Sequence, residues 1–190
     1  MPSAGWFLLL IALVALERVA ELRINRRHAA RLRDRGGFEV APEHYRWMVL
    51  LHTGVLVAAP LEVVLVPRSF VPWVGWPMLG VVASTMALRY WVIATLGDRW
   101  TTRIFVVPGE GPVTSGPYRW LRHPNYLAVI LEVAALPLVH GAWWTALAAS
   151  AANALVLRVR IQAEEAALEA AAGYGAFLTD RRGLLPGPPR

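Results

Sequence analysis

Residues 71–88 read VPWVGWPMLGVVASTMAL, a run of 18 residues without a charged side chain. A helix that crosses the hydrocarbon core of a bilayer needs about 20 mainly apolar residues, and the helical pattern resumes after Arg89 as far as Leu96. Four further mainly apolar runs occur, at residues 1–16, 47–66, 126–139 and 141–157. We therefore predict an all-α integral membrane protein with about five transmembrane helices.

The composition of the chain agrees with this class. Of its 190 residues, 56% are hydrophobic and 17% are charged, whereas soluble domains are about 25% charged. There is no cysteine, which excludes disulfides, thiolate nucleophiles and cysteine-ligated metals, and we expect no metal site. All 19 basic residues are arginine, which excludes Schiff-base chemistry on a lysine. We expect membrane lipids as partners and no nucleic acid, because the arginines lie between apolar runs.

The distribution of arginine orients the predicted helices, since basic residues concentrate in cytoplasmic loops. Residues 23–46 contain seven arginines, residues 97–125 contain four, and residues 158–190 contain five. This pattern predicts a protein of the cytoplasmic (inner) membrane with its N-terminus outside and its C-terminus in the cytoplasm. We treat residues 1–190 as a single domain, with three spans in residues 1–96. Residues 97–190 then hold a loop, a helical hairpin and a C-terminal cytoplasmic helix; a re-entrant hairpin is the alternative to two full crossings.

Ionisable side chains inside the predicted spans are energetically costly and therefore mark candidate functional positions. From the rise of a helix, four of them fall in the cytoplasmic third of the bundle: Glu17, His52, Arg89 and Glu132. Glu62 lies near the opposite end. An ion pair between Arg89 and Glu132 is the simplest structural interpretation, because pairing offsets two desolvation penalties. The alternative is a polar, hollow end of the bundle.

The segment before the fourth apolar run carries the densest chemical signal. Residues 109–126 read GEGPVTSGPYRWLRHPNY, and the glycines and prolines predict extended backbone and turns. Pro124 disfavours helix at His123 and suits the first position of the next helix. The N–H groups at that helix start favour an anion, and Arg122 and Tyr126 lie beside them. A structured loop at the membrane surface is the alternative.

A second candidate segment follows the fifth apolar run. Residues 158–172 read RVRIQAEEAALEAAA and consist of strong helix formers. Glu164 and Glu165 point in different directions on a helix, whereas Arg160 and Glu164 share one face. Either the latter two form an ion pair on a solvated helix, or Glu164 holds a cationic or ribose-bearing ligand and Arg160 holds an anion.

The motif RHPNY, followed across a short hairpin by an arginine and a Glu-Glu pair, resembles the isoprenylcysteine carboxyl methyltransferase family. These are integral-membrane methyltransferases that use S-adenosylmethionine. The resemblance covers residues 109–168, and VTSGPYRWLRHPNY at residues 113–126 is its specific part. The stretches ERVAELRINRR and GGFEVAPEHYRWMVLLH look like bacterial members, some of which O-methylate long-chain alkylpyrones or alkylresorcinols.

The resemblance implies roles for individual residues. The catalytic residues would be Arg160 and Glu165. Arg160 would face the substrate at the membrane boundary, and Glu165 would be the second-line partner of Glu164. The cofactor pocket would be lined by Val113, Tyr118, His123, Pro124, Asn125, Tyr126 and Glu164. One departure concerns the segment after the Glu-Glu pair, where family members often have two spaced tyrosines. This chain has Ala176 and Thr179 instead, and Tyr174 is the candidate substitute.

The resemblance implies O-methyl transfer, with S-adenosylhomocysteine as product, to a lipophilic acceptor from the bilayer. An isoprenylcysteine-like carboxylate would be ionised already and need no base. A long-chain phenol or pyrone, with a phenol pKa of about 10, would need proton removal or an oxyanion partner. Arg160 is the candidate partner and His123 the candidate base. The alternatives are an NADPH-dependent reductase of sterol-reductase-like architecture and a non-catalytic membrane scaffold.

Overall fold

The computed structural model describes residues 2–66 and 68–172, together with residues 175 and 184. The described chain is all-α apart from one two-stranded sheet, which confirms the predicted helical architecture. The long helices are α1 (Pro2–Asp34), α2 (Pro42–Leu65), α3 (Pro72–Leu96), α4 (Pro124–Leu138) and α5 (Trp143–Ala172). The short strands are β1 (Phe38–Val40) and β2 (Ile104–Val106), and single 3-10 turns form at Gly97–Arg99 and Gly116–Arg119.

Within the described residues, two helical segments are long and apolar enough to cross a membrane, Pro42–Leu65 and Pro72–Arg99. Helix α4 is apolar but shorter, with 15 residues. Large hydrophobic side chains point outward from the bundle, for example Leu13 on α1 and Leu155 on α5, as expected for surfaces that face lipid. A membrane protein is therefore indicated, while five crossings and the orientation of the termini stay predictions.

Two helices extend further than their apolar runs predict. Helix α1 continues through the arginine-rich stretch to Asp34, because arginine, leucine, glutamate and alanine all favour helix and charge alone does not end one. Helix α5 joins the fifth apolar run and the predicted C-terminal helix into 30 continuous residues, since neither proline nor glycine interrupts them. Proline begins α2, α3 and α4, which places Pro124 at the predicted helix start.

The small sheet joins the loop after α1 to the loop after α3. Strands β1 and β2 pair antiparallel, with Val40 opposite Ile104 and Phe38 opposite Val106. Ile104 and Val106 are buried, and Arg103 Nη1 lies 2.6 Å from Glu39 Oε1. The sheet therefore holds the long loop between α3 and α4 against one end of the helical bundle.

Glu62, predicted near the opposite end of the bundle, connects α2 to the start of α5. Its carboxylate accepts hydrogen bonds from Thr145 N at 2.8 Å and from Trp144 N at 3.2 Å. Arg68 Nη1 donates to it at 2.9 Å. Because a helix N-terminus carries unpaired N–H groups and a partial positive charge, this carboxylate caps α5 from a neighbouring helix and has a structural role.

Candidate active site

A cavity of about 300 Å³ lies at the end of the bundle that carries the sheet. This volume is at the lower limit of typical small-molecule sites. Its wall combines all five long helices with the loop between α3 and α4. Seven of the predicted site residues line it: Val113, Tyr118, His123, Asn125, Tyr126, Arg160 and Glu164. The structure thus brings the two candidate segments of the sequence together around one cavity.

Two predicted site residues lie behind the cavity wall. Pro124 is completely buried as the first residue of α4, so it shapes the backbone rather than offering a surface to a ligand. Glu165 accepts hydrogen bonds from His123 Nε2 and from Arg122 Nη1, each at 2.8 Å. The hydrogen bond from His123 holds the pKa of the Glu165 carboxyl below its ordinary value. The positive charge of Arg122 also lowers this pKa, whereas partial burial raises it. Glu165 therefore orients His123 in the wall.

Glu164 makes a different contact from its neighbour, as their directions on the helix predicted. The Tyr126 hydroxyl donates to Glu164 Oε2 at 2.5 Å and accepts from Arg160 Nε at 2.9 Å. A direct ion pair between Arg160 and Glu164, one of the two alternatives for this helix face, does not form, because the phenol of Tyr126 lies between the two side chains. One buried tyrosine of the RHPNY motif thus positions two residues of α5.

Arg160 is buried, with 4% of its surface exposed, and it lines the cavity. Its guanidinium donates to the neutral oxygen atoms of Tyr126 and of the Thr102 carbonyl, the latter at 2.8 Å. Within the described part of the chain it forms no salt bridge with a carboxylate. The desolvation penalty of a buried cation is not offset when no carboxylate pairs with it. Arg160 therefore suits a ligand oxygen with negative charge.

A second group of charges borders the same cavity from α1, α3 and α4. The predicted pair of Arg89 and Glu132 is confirmed by a short contact. Arg18 joins it, with Nη2 at 3.1 Å from both Glu132 oxygens, and Arg18 also contacts Glu17 at 3.0 Å and Glu21 at 2.5 Å. This charge cluster (Glu17, Arg18, Glu21, Arg89, Glu132) holds three carboxyl groups and two guanidinium groups, so its cations are already paired.

Several buried polar atoms on cavity-lining residues lack a partner in the described structure. On uncharged side chains they are Trp100 Nε1, Thr102 Oγ1 and Asn125 Oδ1. Unsatisfied buried donors and acceptors are rare and call for a ligand or water. The Glu164 carboxylate, which lines the cavity, offers a negative charge to a cationic group, and this fits the sulfonium of S-adenosylmethionine.

Some wall residues were not predicted from the sequence. Arg18, Glu21 and Leu22 line the cavity from α1, and Asn25 accepts a hydrogen bond from Thr102 N at 2.9 Å. Their spacing places polar residues on one face of α1, and that periodicity was the available signal. Tyr174, Ala176 and Thr179, the expected contributions of the C-terminal tail, lie outside the described residues.

Fold and cavity together define a helical membrane protein with a polar ligand site beside an apolar bundle. The chain belongs to the isoprenylcysteine carboxyl methyltransferase family, whose model matches residues 78–170. This range contains RHPNY, Arg160 and Glu164. The family consists of membrane methyltransferases, so the coarse activity predicted from the sequence is supported by membership.

Two bacterial relatives extend the similarity toward the N-terminus. The uncharacterized protein YpbQ of Bacillus subtilis is 38% identical over 166 residues, which cover 86% of this chain and 96% of the relative. An uncharacterized protein of Haemophilus influenzae is 30% identical over 154 residues, covering 80% of this chain and 88% of the relative. The similarity therefore includes nearly the whole bundle.

Proposed function

We propose that this protein is an S-adenosylmethionine-dependent O-methyltransferase that acts on a lipophilic acceptor at the membrane boundary. One observation carries the proposal: Tyr126 of RHPNY and Glu164 of the Glu-Glu pair bond to each other in the wall of a single cavity. Membership of a methyltransferase family supports it.

The cofactor would be held beside Glu164 and the residues of the RHPNY motif that line the cavity. When bound, S-adenosylmethionine supplies a methyl group on a positively charged sulfur. The Glu164 carboxylate offers a negative charge to the cationic donor, while Asn125 and Thr102 offer hydrogen-bond partners. Glu165 and Arg122 hold His123 in place. Since aligning the two reactants accounts for much of the rate gain in such displacements, these residues act mainly by positioning.

Arg160 would act on the acceptor. It donates to neutral partners on one side and lines the cavity on the other, so it can orient an acceptor oxygen and stabilise its negative charge. The acceptor would enter sideways from the bilayer and the water-soluble donor from the cytoplasm. This division agrees with a protein of the inner membrane whose C-terminus lies in the cytoplasm.

The test is calorimetric titration of the detergent-purified protein with S-adenosylhomocysteine, the expected product. We expect wild-type binding that the Glu164→Ala variant loses, while Arg160→Ala retains binding and loses methyl transfer. Glu169→Ala is the matched control, because Glu169 is an exposed carboxylate on the same helix. Wild-type protein that binds NADPH and not S-adenosylhomocysteine would favour a membrane reductase. A folded protein that binds neither nucleotide would favour a scaffold, and both results would overturn the proposal.

A further inference from the structure

His52 lines the same cavity from α2 and takes no part in the hydrogen bonds that connect Tyr126 with Arg160 and Glu164. Its Nδ1 lies 2.8 Å from the carbonyl oxygen of Met48, one turn earlier on the helix. A carbonyl only accepts hydrogen bonds, so Nδ1 carries the proton. In the neutral ring Nε2 therefore has the free lone pair, and the imidazole is held in the tautomer that a general base requires.

The charged groups around His52 favour an uncharged ligand. They are Arg18 and Glu21 of α1, Arg89 of α3 and Glu132 of α4. Both arginines already contact Glu132, and Glu21 adds a further carboxyl. A carboxylate acceptor would therefore find no unpaired cation beside His52, whereas a neutral hydroxyl group would meet no repulsion.

The apolar part of the cavity wall leads to the lipid-facing surface. Leu22 of α1 and Val49 of α2 both line the cavity, and they are 39% and 43% exposed. Met48 and Leu56 add apolar surface on either side of His52. An alkyl chain can thus leave the cavity between α1 and α2 while its polar head stays near the imidazole.

We propose that His52 is the general base of methyl transfer to an acceptor that presents a neutral hydroxyl group. This inference rests on the proposed function. His52 Nε2 takes the hydroxyl proton as the acceptor oxygen forms its bond to the methyl carbon. The carbon–sulfur bond breaks with its electron pair left on sulfur, and the imidazolium then releases the proton to water. Histidine suits a hydroxyl group with a pKa of about 10, since base and acid differ by only a few units.

The first test measures ionisation of a bound probe and does not depend on turnover. The probe is a nitrophenol with an alkyl chain, whose phenolate form is coloured. Bound to wild-type protein with S-adenosylhomocysteine, it should be at least about tenfold more ionised near neutral pH than in empty detergent micelles, because His52 accepts its proton. His52→Gln should abolish this gain. His44→Gln should retain it, since His44 lies on the same helix two turns away and outside the cavity wall.

Two further measurements complete the test. Nitrogen-15 NMR of histidine-labelled wild-type protein should show one imidazole becoming imidazolium when the probe binds, which requires no variant to fold. In turnover, His52→Gln should lower kcat for the phenol about 100-fold or more, and the loss should shrink as pH rises and the phenol ionises unaided. Equal probe ionisation in wild-type and His52→Gln proteins that both bind S-adenosylhomocysteine refutes the role of His52 alone. Wild-type protein that does not bind S-adenosylhomocysteine refutes the proposed function itself.

Discussion

Replacing Tyr126 by phenylalanine removes one hydroxyl group that connects both candidate segments. This hydroxyl accepts from Arg160 at 2.9 Å and donates to Glu164 at 2.5 Å, in a side chain that is 6% exposed. A hydrogen bond to a charged group contributes about 1.5–3 kcal/mol. In the variant, water from the cavity can reach Glu164, and Arg160 lies one turn away on the same helix face. Part of the free energy of the two lost hydrogen bonds is therefore recovered.

We therefore expect Tyr126→Phe to weaken S-adenosylhomocysteine binding by about 1.5 kcal/mol, roughly tenfold in Kd. Calorimetric titration of both proteins in the same detergent measures this difference. Tyr45→Phe is the matched control: Tyr45 lines the same cavity, and its ring, which Arg103 covers at 4.2 Å, survives the change. Binding by Tyr126→Phe within twofold of wild type, or a loss equal to that of Tyr45→Phe, would refute the positioning role of the hydroxyl.

Three further predictions concern stability in detergent, measured by thermal unfolding. The pKa of Glu165 is lower in the folded protein than its ordinary value of 4.5. Its hydrogen bond with His123 therefore stabilises the protein above pH 4.5, and this contribution is lost as the pH falls through the lower folded-state pKa. Glu165→Gln should flatten that pH dependence. Glu132→Gln should destabilise by about 3 kcal/mol, because the buried Arg89 and the half-buried Arg18 each lose one of their carboxylate partners; an unchanged Tm would contradict this. Gly75→Ala should lower Tm, since its methyl group would lie 2.7 Å from a backbone carbonyl oxygen, whereas Gly80→Ala on the same helix meets open space and should not.

The features predicted correctly from the sequence depend on local signals. Apolar runs locate the helices, and Pro124 marks the start of α4 because proline suits the first turn. The different contacts of Glu164 and Glu165 follow from helix geometry, which separates neighbouring residues by about 100°. The pair of Arg89 and Glu132 follows from the penalty for burying either charge alone.

The features that were missed depend on contacts between distant segments. Strands β1 and β2 have three residues each, too few to show a pattern, and their pairing joins two loops. The sequence left two alternatives for Arg160 and Glu164, and the direct ion pair is absent because Tyr126, more than thirty residues earlier, lies between them. The role of Arg18 was not predicted, because a charged residue just after an apolar run is typical of the end of a span. In the structure its side chain contacts Glu132.

Transfer of a labelled methyl group is the direct measure of the proposed methyltransferase activity. Purified protein would receive methyl-labelled S-adenosylmethionine with an alkyl-chain phenol or, separately, an alkyl-chain carboxylic acid. We expect label in an extractable acceptor, and loss of this transfer in Arg160→Ala protein that still binds S-adenosylhomocysteine. Wild-type protein that binds S-adenosylhomocysteine but labels neither acceptor, or undiminished transfer by Arg160→Ala, would contradict it.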